Sequence, residues 1–189
     1  SPESTFKADV ERVASLDVNA IAAAWAARDR AGQQVGSLSP RDSVAAEING
    51  ANVSVAYGRP SLRGRTGIGG VLVPYGQVWR TGANEATHFR TDRDLMFGET
   101  RVPAGSYTIW TVPGPEGWTV IFNRQTGQWG TVYDPAQDLA RVPASADRAP
   151  GGPVEQFTMR IVASECGDGG VLQLVWENTR VSVPFTVAR

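Results

Sequence analysis

Residues 79–85 concentrate side chains that could do chemistry: an indole, a guanidinium, an amide and a carboxylate lie within one short run. The guanidinium of Arg80 can bind a carboxylate, a phosphate or a sulfate through two parallel hydrogen bonds. Asn84 can orient a substrate oxygen while Glu85 takes a proton. The run therefore predicts a ligand-binding or catalytic site. The alternative is an Arg–Glu pair that only fixes a turn.

Positive charge collects around this run. Residues 57–93 contain six arginines against two acids, although the whole chain of 189 residues has a net charge of −1. Such an excess favours an anionic ligand, and a solvated arginine-rich face is the alternative. The predicted ligand-binding residues are Tyr57, Arg59, Arg65, Tyr75, Trp79, Arg80 and Asn84.

The predicted catalytic residues are Arg80, Asn84, Glu85 and His88. His88 is the one histidine of the chain, and a histidine can act as a general base near neutral pH. A lone histidine in a strand is more often a surface or packing residue. No metal site with several His or Cys ligands can form, because Cys166 is also single.

The loop of residues 58–70 is basic and rich in glycine, so its backbone N–H groups could hold an anion. It lacks the Gly-Lys-Ser/Thr sequence of a phosphate-binding loop, and no cofactor is expected. The balance of charge gives no indication of a nucleic-acid partner. No apolar run is long enough to span a bilayer. The chain starts at Ser1 without Met, which suggests a processed precursor or a trimmed chain.

The first 38 residues differ from the rest and predict a helical extension followed by a linker. Residues 17–30 are rich in alanine, their apolar side chains recur at helical spacing, and Asp17 is an acceptable N-cap. Residues 39–189 form the second predicted unit.

From Arg41 onward the apolar residues alternate with a period of two. Asn49-Gly50 lies between two such segments and predicts a tight hairpin. Residues 134–153 read as a polar excursion with one helical turn, and Pro184 should place the last strand at a sheet edge. The chain is predicted to fold as an antiparallel β-sandwich or jelly-roll-like domain, with strands at residues 42–48, 51–57, 77–80, 86–90, 95–97, 106–112, 118–123, 128–133, 154–164, 171–178 and 180–187.

Several blocks of the sequence occur together in one known family. They are Tyr57-Gly58-Arg59-Pro60-Ser61, Val73-Pro74-Tyr75-Gly76, residues 78–87, Pro103-Ala104-Gly105-Ser106-Tyr107, residues 118–123 and Trp129-Gly130. In this order they resemble the bacterial domain-of-unknown-function 2911 family over roughly residues 39–187. The resemblance implies a β-rich domain that is commonly exported in Gram-negative bacteria, and no established activity. It also implies Thr at the position of His88, which argues against a catalytic His88.

Three functional hypotheses follow. The first is a periplasmic or secreted domain that binds a small anionic or polar ligand, with Arg59 and Arg80 supplying charge, Asn84 and Glu85 orienting and Trp79 forming a wall. The second is a metal-independent hydrolase of esters, phosphoesters or glycans with Glu85 as general base. The third is a structural envelope module.

Overall fold

A computed structural model describes residues 38–188 together with Asp17, Ala20, Ala24 and Ala27. These four residues belong to a separate unit of the chain and are considered by themselves. The side chain of Asp17 accepts a hydrogen bond from the backbone N–H of Ala20 at 2.9 Å, as an N-cap does. The rest of the predicted N-terminal extension lies outside the described residues and stays a prediction.

Residues 38–188 form eleven β-strands and one turn of 3-10 helix at Pro135–Gln137. The strands are β1 (Arg41–Ile48), β2 (Ala51–Gly58), β3 (Thr87–Thr91), β4 (Leu95–Phe97), β5 (Thr100–Val102), β6 (Gly105–Val112), β7 (Gly117–Asn123), β8 (Asp138–Arg148), β9 (Val154–Ala163), β10 (Gly169–Glu177) and β11 (Thr179–Val187).

The predicted hairpin joins β1 to β2. Asn49 and Gly50 have φ values of 48° and 75°, and the strands pair from Ile48 opposite Ala51 onward. Positive φ at both central residues is the geometry of a type I′ turn, whose twist matches that of the strands. The hairpin prediction is therefore confirmed.

All strand pairs are antiparallel, and together they make one sheet in the order β1-β2-β3-β6-β7-β8-β11-β10-β9. The short strands β4 and β5 form a hairpin that attaches to the end of β11. The prediction of an almost entirely β, antiparallel fold is confirmed.

The two ends of the sheet lie against one another. The hydroxyl of Tyr57, near the end of β2, accepts a hydrogen bond from the N–H of Met159 in β9 at 2.9 Å. Two residues later, Nε of Arg59 donates to the carbonyl of Phe157 at 3.1 Å. The sheet is therefore nearly closed. The sandwich or jelly-roll form stays a prediction, since hydrogen bonds connect all eleven strands in one sheet.

The large core lies inside this nearly closed sheet and includes an aromatic cluster. The rings of Trp79 and Trp176 stack at 5.9 Å with an angle of 10° between their planes, and Trp118 and Phe157 pack edge-on against Trp79. Trp79 is 9% exposed. It therefore belongs to the core.

A second, smaller cluster covers the opposite face of β6 and β7. It consists of Ala86, Trp110 and Ile121, with Tyr133 packed against Trp110 at 4.9 Å between ring centroids. Successive residues of a strand point to opposite faces, so Ile109 enters the main core while Trp110 enters this outer cluster. Both faces of these two strands are therefore covered.

The last strand is not an edge strand, contrary to the expectation from Pro184. β11 pairs with β10 from Thr179 to Thr186, and on its other side with β8 through Ser182 and with β4 from Thr186. Pro184 lies in the gap between those two partners. The missing N–H of a proline is tolerated there because that side of the strand is locally unpaired.

Among the described residues, no helix is long and apolar enough to cross a membrane.

Candidate functional site

The run that begins at Trp79 is an irregular loop fixed by buried hydroxyl groups. The backbone of Trp79 exchanges two hydrogen bonds with Thr111 of β6, at 2.7 and 2.9 Å. The hydroxyl of Thr81 donates to that of Thr111 at 3.1 Å, and the hydroxyl of Thr87 donates to the carbonyl of Thr81 at 2.8 Å. All three threonines are fully buried. The loop is therefore held from inside the domain.

Two residues of this loop have left-handed backbone conformations. Thr81 has a φ of 56° and Asn84 a φ of 64°. Asparagine tolerates this region, but a β-branched residue does so at a cost of about 1–3 kcal/mol. The buried hydrogen bonds of Thr81 offset that cost and hold a sharp bend after Arg80, so that Trp79 enters the core while Arg80 leaves it.

The aliphatic stem of Arg80 lies across Gly130. A Cβ atom at Gly130 would be 2.5 Å from Cδ of Arg80 and 2.6 Å from the carbonyl oxygen of Asn84. That carbonyl accepts the N–H of Gly130 at 2.9 Å. Only a glycine therefore allows this approach of the two segments.

Arg80 faces a groove of about 480 Å³ on the outer side of β6. A volume of this size is typical of sites for small molecules. One wall comes from residues 71–80 and the other from residues 130–133. The lining residues are Val71, Leu72, Pro74, Gln77, Val78, Trp79, Arg80, Trp110, Gly130, Thr131 and Tyr133.

The guanidinium of Arg80 has little to bind within the protein. Its Nε donates to the carbonyl of Gly82 at 3.4 Å, a long hydrogen bond. Among the described residues, no acceptor and no carboxylate lies within bonding distance of its two terminal nitrogens. This half-buried cation is therefore available to a ligand.

The opposite wall is stiffened by a polar network behind Tyr133. Its hydroxyl donates to Oδ2 of Asp138 at 2.7 Å, and Arg141 donates to the same hydroxyl at 3.0 Å and to Asp138 at 2.8 Å. Burial, followed by the hydrogen bond to Asp138, raises the pKa of Tyr133 to about 12. Tyr133 therefore stays protonated and fixed in orientation.

Glu85 and Asn84 point away from the groove. The carboxylate of Glu85 forms an ion pair with Arg41, and the two side chains are 50% and 44% exposed. Such exposed pairs contribute about 0–1 kcal/mol. Nδ2 of Asn84 donates to the carbonyl of Ser39 at 3.3 Å. Neither side chain shares the groove with Arg80.

Arg59 and Arg65 are also engaged elsewhere. The guanidinium of Arg59 pairs with Asp42 at 3.0 Å and donates to the hydroxyl of Thr158 at 3.0 Å. Arg65 donates to the carbonyls of Leu62 and Ser61. The structure therefore does not bring Arg59, Arg65, Arg80 and Glu85 together in one pocket.

The predicted aromatic residues have different positions. Tyr57 and Trp79 are core residues, 2% and 9% exposed. Tyr75 is 47% exposed and lines a separate depression next to Trp118. Among these residues, Trp79 alone lies at the floor of the Arg80 groove.

His88 has a structural contact. Its Nε2 accepts a hydrogen bond from the N–H of Gly127 at 2.9 Å, so this nitrogen carries no proton. Burial lowers the pKa of His88, against the backbone of Ala86, which raises it, while the nearby Arg41 lowers it further. The imidazole is therefore neutral and holds the turn after β7.

The glycine-rich loop holds an anion, and that anion is a side chain of the protein. Oε2 of Glu177 accepts the N–H groups of Gly67 and Ile68 at 3.2 and 3.1 Å. The backbone N–H groups that were predicted to bind an anion therefore bind Glu177, and this contact holds the loop in place. The loop continues directly into Val71 and Leu72, which line the groove.

Sequence reasoning missed several groove residues, namely Val71, Leu72, Val78, Gly130 and Tyr133. Residues 77–80 and 128–133 were expected to be strands, yet each makes only a single bridge, Trp79 to Thr111 and Trp129 to Glu85. The available signal was Gly130, because a glycine is the usual residue where two backbone segments approach closely.

Among the described residues, no group of three or more His, Cys, Asp or Glu side chains could hold a metal ion.

The chain matches the model of a known protein family. The model of a family described as "Protein of unknown function (DUF2911)" matches residues 39–185. No curated protein and no solved structure matches the chain.

Proposed function

The chain belongs to the DUF2911 family, and we propose that it binds a small anionic or polar ligand in the groove that contains Arg80. The observation that carries this proposal is the state of the Arg80 guanidinium. Within the described part of the chain, it lies half-buried in a concave surface with one long hydrogen bond, whereas Arg59 and Arg65 have two or more partners each.

A guanidinium in this position suits an anion for two reasons. Its planar donors match the oxygens of a carboxylate or phosphate, and the walls of the groove exclude part of the solvent that would otherwise screen the attraction. The buried contacts of Trp79 and Thr81 fix the backbone on both sides of Arg80. The ligand therefore meets a side chain whose backbone is already ordered, which lowers the entropic cost of binding.

Thermal unfolding in the presence of simple anions tests this proposal. Acetate, phosphate or sulfate should raise the Tm of the wild type relative to chloride at equal ionic strength, because a ligand stabilises the folded state it binds, by about 2.7 kcal/mol at 100 times Kd. The variant Arg80→Ala should lose this response.

Arg90→Ala is the matched control, because Arg90 is an exposed arginine of β3 that does not line the groove. It should retain the response of the wild type. An equal anion response in Arg80→Ala, or none in the wild type, would contradict the proposal and favour the structural module.

The hydrolase hypothesis gains no support from this arrangement. Glu85, its general base, forms an ion pair with Arg41 on the surface and does not line the groove. No second carboxylate lines the groove either, among the residues that the structure describes.

We also propose a periplasmic or secreted location, supported by the family resemblance. Fractionation of bacteria that express the complete gene tests it. The protein should be released by osmotic shock together with a periplasmic marker, or appear in the medium. Recovery with cytoplasmic markers alone would contradict it.

A further inference from the structure

Exposed apolar side chains concentrate around the Arg80 groove. Seven large apolar side chains of the described residues are exposed, and four of them line the groove or lie directly beside its lining residues. These four are Val71 (96% exposed), Val78 (41%), Trp129 (52%) and Val132 (49%). Of the remaining three, Tyr75 lines the separate depression next to Trp118, and Leu38 and Val162 lie elsewhere in the chain.

Such clustering is unusual for a surface that meets only water. Isolated exposed apolar residues are common, but a contiguous group beside a cavity is typical of a binding site. Val71 and Val78 line the groove directly, and Trp129 and Val132 flank the lining pair Gly130-Thr131. The rim of the groove can therefore bury apolar surface of a ligand.

Arg80 is the one charged residue among the described residues that line the groove. One guanidinium can neutralise a carboxylate with two parallel hydrogen bonds. A phosphate monoester would leave part of its second charge without a partner against apolar walls, which is unfavourable.

We propose that the ligand is an amphiphilic monocarboxylate: one carboxylate group on an apolar body the size of a ring or a short alkyl chain. The carboxylate binds Arg80, and the apolar body lies along Val71 and Val78. This inference rests on the proposed function, because it specifies the class of anion that the same groove takes.

Calorimetric titration with a homologous series tests it. Acetate, butanoate, hexanoate and octanoate carry the same charge and differ only in apolar length. Affinity should rise along the series, by up to about fourfold for each added methylene that becomes buried, which corresponds to about 0.8 kcal/mol per CH₂. Hexanol, which has the hexanoate body without the charge, should bind at least tenfold more weakly than hexanoate.

Two sets of variants separate the two parts of the site. Arg80→Ala should weaken binding of every acid in the series. The double variant Val71→Ser, Val78→Ser should flatten the dependence of affinity on chain length. Both valines are exposed, so their replacement is compatible with folding. Val162→Ser is the control, since Val162 is 43% exposed on β9 and should behave as wild type.

The outcomes distinguish this inference from the proposed function. Equal affinities for acetate, phosphate and octanoate, all lost in Arg80→Ala, would leave the proposed function standing and overturn the inference. The absence of any binding would overturn both. Hexanol binding as tightly as hexanoate would overturn the role of Arg80. Reversible dimerisation of the wild type that the double variant abolishes would identify the rim as an interface between copies and overturn the inference.

Discussion

The missing side chain of Gly130 decides where Arg80 can lie. The arginine stem occupies the space that a Cβ atom would need, and the backbone of Asn84 closes the other side. Any other residue at this position must push one of the two segments away. The position of the cation therefore depends on a residue that has no functional group.

The substitution Gly130→Ala should both destabilise the domain and weaken anion binding. A contact of 2.5–2.6 Å cannot be accommodated without moving Arg80 and the backbone of Asn84. Overpacking of this kind costs about 1–3 kcal/mol. Urea unfolding measures the loss of stability, and the Tm response to anions measures the loss of binding.

The control for this substitution is Gly117→Ala, because a Cβ at Gly117 would meet its nearest neighbour, the carbonyl oxygen of Ala144, at an ordinary 3.7 Å. It should be nearly neutral. A Gly130→Ala protein with wild-type stability and anion response would show that the Arg80 position is not fixed by this contact.

The pKa of His88 can be measured without interference from other histidines, since it is the one histidine of the chain. Its pKa in the folded protein should lie below the usual 6.5, mainly because of burial. The titration of its ring protons can be followed by NMR without assignment. A midpoint at or above 6.5 would contradict the burial and the acceptor role of Nε2.

The same residue should affect stability in one pH window. The unfolded chain binds a proton at His88 more readily than the folded chain, so stability falls as the pH drops from about 6.5 towards the folded pKa and is unaffected above that window. The variant His88→Gln should lose this dependence. The pKa values of Asp92, Asp94 and Asp147 are also lowered, and these groups make stability depend on pH only below the usual carboxyl pKa of 3.8.

At the scale of residues, the sequence predicted a binding role for Arg80, which stays a prediction, and did not predict that its guanidinium has one long hydrogen bond among the described residues. Arg59, Arg65 and Arg80 share the same basic segment and look equivalent along the chain. What separates them is the partner that each finds after folding, and the partner of Arg59, Asp42, comes from a different strand. Side-chain pairing across strands requires the register, which local patterns do not contain.

At the scale of elements, the carboxylate of Glu177 determines the path of the loop between β2 and β3. It binds the N–H groups of Gly67 and Ile68 from the end of β10. Glu177 itself has a φ of 54°, because it lies in the two-residue turn between Trp176 and Thr179. The contact of Glu177, the last residue of β10, thus holds the loop that continues into the groove wall at Val71 and Leu72.

Glu177→Ala should therefore destabilise the domain by about 1.5–3 kcal/mol, the range for hydrogen bonds to a charged group, since the buried N–H of Gly67 loses its acceptor. Glu177→Gln should lose less because an amide oxygen can still accept. Urea unfolding measures both, and hydrogen exchange should show faster exchange at residues 67–73. Glu116→Ala, at an exposed turn, is the control; an equal effect there would refute the anchor.

Strands in which apolar and polar residues alternate clearly could be predicted from the sequence. Strands in which this alternation is weak could not. Strand β8 was expected to be a polar excursion because it contains Pro143 and several small residues. Its period of two is present, with Ala140, Val142 and Ala144 buried. Pro143 is accommodated because β11 pairs only with the end of β8, from Ser145 onward. A proline in a central strand becomes acceptable only where the neighbouring strand stops short.

At the scale of the whole molecule, the contact between β2 and β9 closes the sheet. Tyr57 is buried against Phe157 with its rings edge-on at 5.7 Å, and its hydroxyl satisfies the N–H of Met159. The sequence predicted both strands. It could not predict that they meet, because nothing local links positions so far apart along the chain.

Tyr57→Phe should cost about 1–3 kcal/mol, because it keeps the ring and leaves the buried N–H of Met159 without an acceptor. Native-state hydrogen exchange should show faster exchange at this amide and its neighbours in β9. Tyr107→Phe is the control: its hydroxyl donates to the nearby carbonyl of Pro103, so its loss should leave exchange in β9 unchanged. Unchanged protection of Met159 in Tyr57→Phe would contradict closure through this bond.

The distance along the chain that this closure spans has a consequence for folding kinetics. Tyr57 and Met159 are 102 positions apart, whereas β1 and β2 are joined by a two-residue turn. Closing a longer loop costs more chain entropy, so we expect the hairpins to form early and the β2–β9 contact to form last. Until then β1 and β9 expose unpaired backbone edges that can add a strand from another molecule. Refolding should therefore compete with misassembly at high protein concentration.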